Sequence, residues 1–325
     1  MVKVNEEVKK PKVDARVASY TFLAIIFVTF LVGMAIGASG ADTRTNFWEA
    51  SVAMIIQYGA FLGLFFIVFW QLKLRGKEIP QSIDLNKKVS FRNLGFVVLI
   101  AAVTLVGFML LTDGFLAILR TLGYSSCVVE KCVDGTAKCW TCGDGLSVPQ
   151  YIMAVFVVCL LPAVIEELLF RGLILKGLTS MGKVVAIIAS AVLFSLFHGN
   201  VDQTIHQFIL GIICAVVVLK TGNLVYAMVL HFLNNFIWLT AYTFIGSSLE
   251  SAPWNPLTAV VMVVLAGLGV LMLVGLVKAL KPHDERAVIQ KTTKFWSLYN
   301  IGYFIAVVLG GCIWVFALLA GLGVV

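Results

Sequence analysis

Charged residues are scarce in this sequence: Asp, Glu, Lys and Arg make up 13% of its 325 residues, against 60% hydrophobic. That balance excludes a water-soluble globule, whose surface needs charges to cover it. With a mean hydropathy of +0.99, the solvent must be lipid. No cleavable signal peptide is expected, because the basic tail from Met1 to Arg16 leads into a hydrophobic stretch too long for an h-region and lacking a convincing cleavage site. The first helix is therefore expected to stay as an anchor. No clear internal repeat of the kind that builds carriers is found, no interleaving of aromatic and basic residues points to nucleic acid, and no H-E-x-x-H zinc motif occurs.

What the sequence does contain is long apolar runs. Stretches almost free of charge lie near 19–40, 48–72, 92–119, 150–175, 184–199, 203–219, 224–245, 256–279 and 299–325. Each is read as a helix that can span a hydrocarbon core of roughly 30 Å. The fold class expected is all-α: a polytopic transmembrane bundle of about nine helices with a Cys-rich external loop between helices three and four. Along the chain this divides into a basic tail (1–18), three N-terminal helices (19–122), the loop (123–149), a core carrying the polar motifs (150–245) and C-terminal helices (246–325). With the N-terminus in the cytoplasm, 20 of the 24 Lys and Arg fall inside, and only Arg44, Arg120, Lys131 and Lys138 fall outside. This predicts a multi-pass plasma-membrane protein whose net charge of +7 meets anionic lipid rather than nucleic acid.

Four of the seven cysteines, Cys127, Cys132, Cys139 and Cys142, sit in the external loop with C-x4-C-x6-C-x2-C spacing. Two disulfides are the favoured reading for a short polar loop outside the cell. A four-thiolate zinc knuckle, which the C-x2-C of Cys139 and Cys142 supports, and free thiols are the alternatives. Cys159, Cys214 and Cys312 lie in apolar helices and read as packing residues.

The other polar feature runs through AVIEELLFRG, FSLFHGN and HFLNN. Ionisable residues inside spans are costly and count as functional hypotheses. Glu166 and Glu167 are consecutive, so about 100° apart on a helix, and are expected to do different jobs. Glu167 stands four residues before Arg171, the favourable order for an ion pair. Phe194 and His198, and likewise His231 and Asn235, share one helical face each. Glu166 with an imidazole makes a base and acid for hydrolysis, and a second His with an Asn supplies donors for an oxyanion, a set that suits peptide-bond cleavage. No cofactor is required by this set, although a divalent metal held by Glu166, His198 and His231 is an open alternative. His206 and His283 read as bland polar residues, Gly199 and Asn200 as a turn, and Phe194 as a cavity wall.

Glu166-Glu167-x-x-x-Arg171, Phe194-x-x-x-His198 and His231-x-x-x-Asn235, in this order, resemble the three motifs of the CAAX prenyl endopeptidase and bacteriocin-processing family, the type II CAAX proteases or membrane glutamic proteases. The resemblance spans about 150–245 and includes Gln207, Gly211 and Lys220-Thr221-Gly222. It implies an endopeptidase in which Glu166 and His198 activate water, His231 and Asn235 form the oxyanion site, and the substrate is a membrane-anchored or lipidated peptide or protein. A non-enzymatic bacteriocin-immunity scaffold and a proton-coupled carrier are the competing readings.

Counting about 1.5 Å per residue from the cytoplasmic helix ends puts Glu166 and His231 roughly 7–12 Å deep but His198 near 20 Å. Straight, untilted helices would hold His198 apart, so tilt, a kink at Pro162 or a dipping turn at 199–203 is expected.

Overall fold

Helix starts in this chain are written in short polar signals between apolar runs. In the computed structural model, which describes residues 13–43, 45–125, 146–245, 256–282 and 301–324, the Asp14 carboxylate accepts from the backbone N–H groups of Arg16 and Val17 at 3.0 and 3.1 Å, opening α1 (Ala15–Ala38). Asn46 does the same for α2 (Phe47–Gln71). A short helix α3 (Glu78–Ser82) precedes α4 (Phe91–Thr121). A capping box of Ser147 and Gln150, with Pro149 behind Val148, starts the long helix α5 (Val148–Met181). It is followed by α6 (Lys183–Phe197), α7 (Thr204–Thr221), α8 (Val225–Ile245), α9 (Pro256–Ala279) and α10 (Ile301–Gly321). The Cys127, Cys132, Cys139 and Cys142 loop and His283 lie outside the described residues.

The described elements are all helical, and the protein is an integral membrane helix bundle. Helices α1, α2, α5, α7 and α10 are long and apolar enough to cross a membrane, and α4, α6, α8 and α9 carry shorter apolar helices. Their outer faces present Phe27, Phe30, Phe66, Trp70, Leu271 and Phe316 outward, which suits lipid as the solvent. Three buried hydroxyls are satisfied locally: Ser19, Ser51 and Thr104 donate to the carbonyls four residues back.

Helix α5 sits at the centre, packed by α1, α2, α6 and α8. It is not uniform. Two π-helical stretches, Val155–Leu160 and Leu168–Leu175, bracket a single α-helical segment, Leu161–Glu167. Pro162 accounts for part of this: it has no N–H to give the carbonyl of Val158, four residues back, and its ring crowds that carbonyl. α5 also runs on well beyond Arg171 before turning at Gly182, a residue at φ 107°, into α6. Glu166 and His198 are consequently equally far from that turn along the chain, one before it and one after, and stand at one level. The depth mismatch expected from the sequence came from ending the fourth helix near 175; the hairpin simply turns later.

The turn between α7 and α8 is set inside the protein. Asn223 and Leu224 are buried, and the segment after α3 covers them: Leu224 N–H donates to the Asp84 carbonyl at 3.0 Å and the Asn223 side chain to the Lys87 carbonyl at 3.1 Å. His231, early in α8, is thereby raised to the level of the glutamates.

Candidate active site

Glu166 and Glu167 close the α-helical segment between the two π stretches, where the helix changes its pitch on either side. Both are essentially without exposure, at 2% and 0%. They turn to different partners. One oxygen of Glu166, Oε1, accepts a hydrogen bond from the Tyr58 hydroxyl of α2 at 2.7 Å. The other, Oε2, lies 4.0 Å from Nε2 of His198 and has no hydrogen-bond partner.

His198 ends α6, and its Nδ1 is 2.8 Å from the Phe194 carbonyl. A carbonyl can only accept, so Nδ1 carries the proton and Nε2 of the neutral ring presents a lone pair toward Glu166. Two acceptors therefore face one another across a gap too long for a direct hydrogen bond. The His198 side chain keeps 16% of its surface exposed while the Glu166 side chain keeps 3%, so the pair is approached from the His198 side.

Glu167 has a different setting. Its Oε1 accepts from Arg171 Nη1 at 2.7 Å and from Nδ1 of His231 at 3.0 Å, all three side chains being buried. Arg171 reaches on to the Gly211 carbonyl of α7 at 3.3 Å and lies over the Phe194 ring, 4.2 Å from its centroid. The close approach of α7 to α6 depends on Gly211, where a Cβ would come within 3.0 Å of the Ala191 Cα and Cβ. Phe194 is the aromatic hub, with His198 at 4.9 Å and His231 at 5.8 Å between ring centroids.

Asn235 is placed one turn beyond His231, and its amide nitrogen donates to the Val158 carbonyl at 3.1 Å. That carbonyl is the one Pro162 cannot serve, so the contact meets a backbone acceptor that lipid could not satisfy. Asn235 also accepts from Asn234 at 3.2 Å. His206, read from sequence as bland, stands in the first turn of α7, next to Gln207. Buried acceptors without a donor gather in this region: Glu166 Oε2, Glu167 Oε2, Gln207 Oε1 and Asn234 Oδ1. Such groups call for N–H or O–H donors.

Tyr58 was not singled out from the sequence. The available signal was the single tyrosine of α2, whose hydroxyl at membrane depth needs a partner. Among the described residues no group of three or more His, Cys, Asp or Glu converges to hold a metal ion.

Residues 148–237 match a family model described as type II CAAX prenyl endopeptidase Rce1-like, in agreement with the family that the three motifs resemble. The matched segment holds Glu166, Glu167, Arg171, His198, His231 and Asn235; Tyr58 lies before it. No curated protein and no solved structure matches the chain.

Proposed function

We propose that this membrane protein hydrolyses a peptide bond of a membrane-anchored or lipidated protein or peptide, using water activated by Glu166 and His198. The observation that carries the reading is the pair of facing acceptors, Glu166 Oε2 and His198 Nε2, 4.0 Å apart in a buried setting. A water donating to both keeps its own lone pairs free for attack on a carbonyl carbon. As the C–O bond forms, its proton passes to this pair, and the carbonyl oxygen becomes an oxyanion. The donors assigned to that oxyanion are the second amide N–H of Asn235 and His231, whose Nδ1 is held by Glu167 and whose Nε2 donates in the imidazolium form. The C–N bond then breaks as the stored proton moves to the leaving nitrogen, giving an amine and a carboxylic acid, whose proton passes to the freed Glu166–His198 pair and from there to solvent. Glu167 and Arg171 act as a neutralised pair that orients His231.

We place the protein in the plasma membrane, and the excess of Lys and Arg on one side, with the buried Arg171 set aside, argues for a cytoplasmic N-terminus. The family match at 148–237 supports a protease that takes membrane-associated peptides.

The test compares purified wild type with Glu166→Gln on a library of membrane-anchored peptides, prenylated and unprenylated, with and without chelator, reading products by mass. Cleavage by wild type that survives chelator and is lost in Glu166→Gln is the expected result. Cleavage abolished by chelator in wild type would replace the Glu166–His198 water with a metal. A folded wild type that cuts nothing in the library would sink the reading and move attention to proton-coupled transport.

A further inference from the structure

We infer that Tyr58 is a positioning residue for Glu166, and that α2, outside the segment matched by the family model, therefore takes part in setting the reactive carboxylate. The inference rests on the glutamate-activated-water reading above. Tyr58 is buried in a helix otherwise free of buried ionisable side chains, and its hydroxyl bonds Glu166 Oε1 at 2.7 Å. A carboxylate has two near-equivalent oxygens and is free to turn about its last torsion. A donor held on one oxygen removes that freedom: Oε1 is occupied, and Oε2 is left facing His198.

The same helix also braces the other half of the pair. The Tyr58 ring packs edge-on against Phe61 with centroids 5.9 Å apart, Phe61 lies 5.7 Å from Phe197, and Phe197 lies 5.2 Å from the His198 ring. One turn of α2 thus contacts the base through a hydrogen bond and, by way of Phe197, the imidazole through edge-on and tilted rings. Without the hydroxyl, Oε1 becomes a second, competing acceptor, and the carboxylate no longer presents one defined oxygen to a water shared with His198.

The experiment uses the full-length protein in lipid vesicles with a cleavable anchored peptide. Tyr58→Phe removes only the hydroxyl; kcat is expected to fall roughly ten- to hundredfold, the range of a hydrogen bond to a charged group, with KM unchanged. Infrared difference spectra supply a readout that loss of packing does not move: the carboxylate band that disappears in Glu166→Gln should shift in frequency in Tyr58→Phe. Replacing Tyr58 by 3-fluorotyrosine keeps the ring and the hydroxyl but changes donor strength, and should move the same band and kcat in a protein that folds normally. Wild-type kcat in both Tyr58 variants overturns the inference, as does a lower kcat with the band unmoved. The two levels separate cleanly: if Glu166→Gln retains wild-type turnover the water-activation reading fails, whereas a dead Glu166→Gln beside a fully active Tyr58→Phe removes only the role of Tyr58.

Discussion

Glu166 and Glu167 are neighbours in the chain and opposites in their surroundings. Glu167 shares one oxygen between a guanidinium and an imidazole and so is electrically answered within the protein. Glu166 receives a phenol on one side and faces a lone pair on the other, with no cation in hydrogen-bond contact. Burial is the same for both, so burial does not separate architecture from chemistry here. Nor does unmet hydrogen-bonding capacity, since Oε2 of each lacks a donor; charge compensation does. A neutralised carboxylate holds helices together, and an unneutralised one beside an imidazole is equipped to take a proton.

The comparison breaks most sharply at Glu166 itself. Glu166→Gln should lower turnover by roughly 10²–10⁴-fold, the usual contribution of a general base, while leaving the unfolding transition in detergent within about 0.5 kcal/mol. A large loss of stability instead would mean that Glu166 is as structural as its neighbour. Arg171→Met tests the other side: it takes the permanent cation from Glu167 and leaves it only the His231 imidazole in a buried site, and a destabilisation of about 3–5 kcal/mol is expected in equilibrium unfolding. Adding Glu167→Gln to Arg171→Met should restore most of that stability, because no uncompensated charge remains.

Gly211→Ala sharpens the picture at the far end of Arg171. A Cβ there meets the Ala191 backbone at 3.0 Å, which should cost about 1–3 kcal/mol by forcing α6 and α7 apart. The smallest effect concerns Asn235. Asn235→Leu should cost about 1–2 kcal/mol by leaving the Val158 carbonyl without its donor, and less in a Pro162→Ala background, where residue 162 regains an N–H for that carbonyl. Equal costs in the two backgrounds would show that the contact does not answer the proline.

Much of the site was legible along the chain because each motif is local to one helix. Spacing of four residues places Glu167 with Arg171 and Phe194 with His198 on common faces, and the structure has both contacts. The helix positions near 19–40, 48–72 and 256–279 agree closely with α1, α2 and α9, since an apolar run bounded by polar caps has few other solutions in lipid. The fourth helix was less legible. Its end looked near 175 because Arg171 and Lys176 read as a cytoplasmic boundary, whereas Arg171 is buried and Lys176 is met by Asp84 from the segment after α3. A cation buried with its partner, as Arg171 is with Glu167, does not mark a membrane surface.

Hydropathy and residue spacing determined by themselves that this is a membrane helix bundle and which glutamates, histidines and arginine carry its polar centre, because lipid tolerates such residues only where they have work or partners. Which of those residues meet was decided by tertiary structure. The late turn at Gly182, the π-helical stretches around Glu166 and Glu167, the sunken turn before α8 and the approach of Tyr58 from α2 all depend on how separate helices lie against one another. A one-dimensional pattern records the face a residue occupies on its own helix. It holds no record of the level at which two helices pass, and that level sets the 4.0 Å between Glu166 and His198.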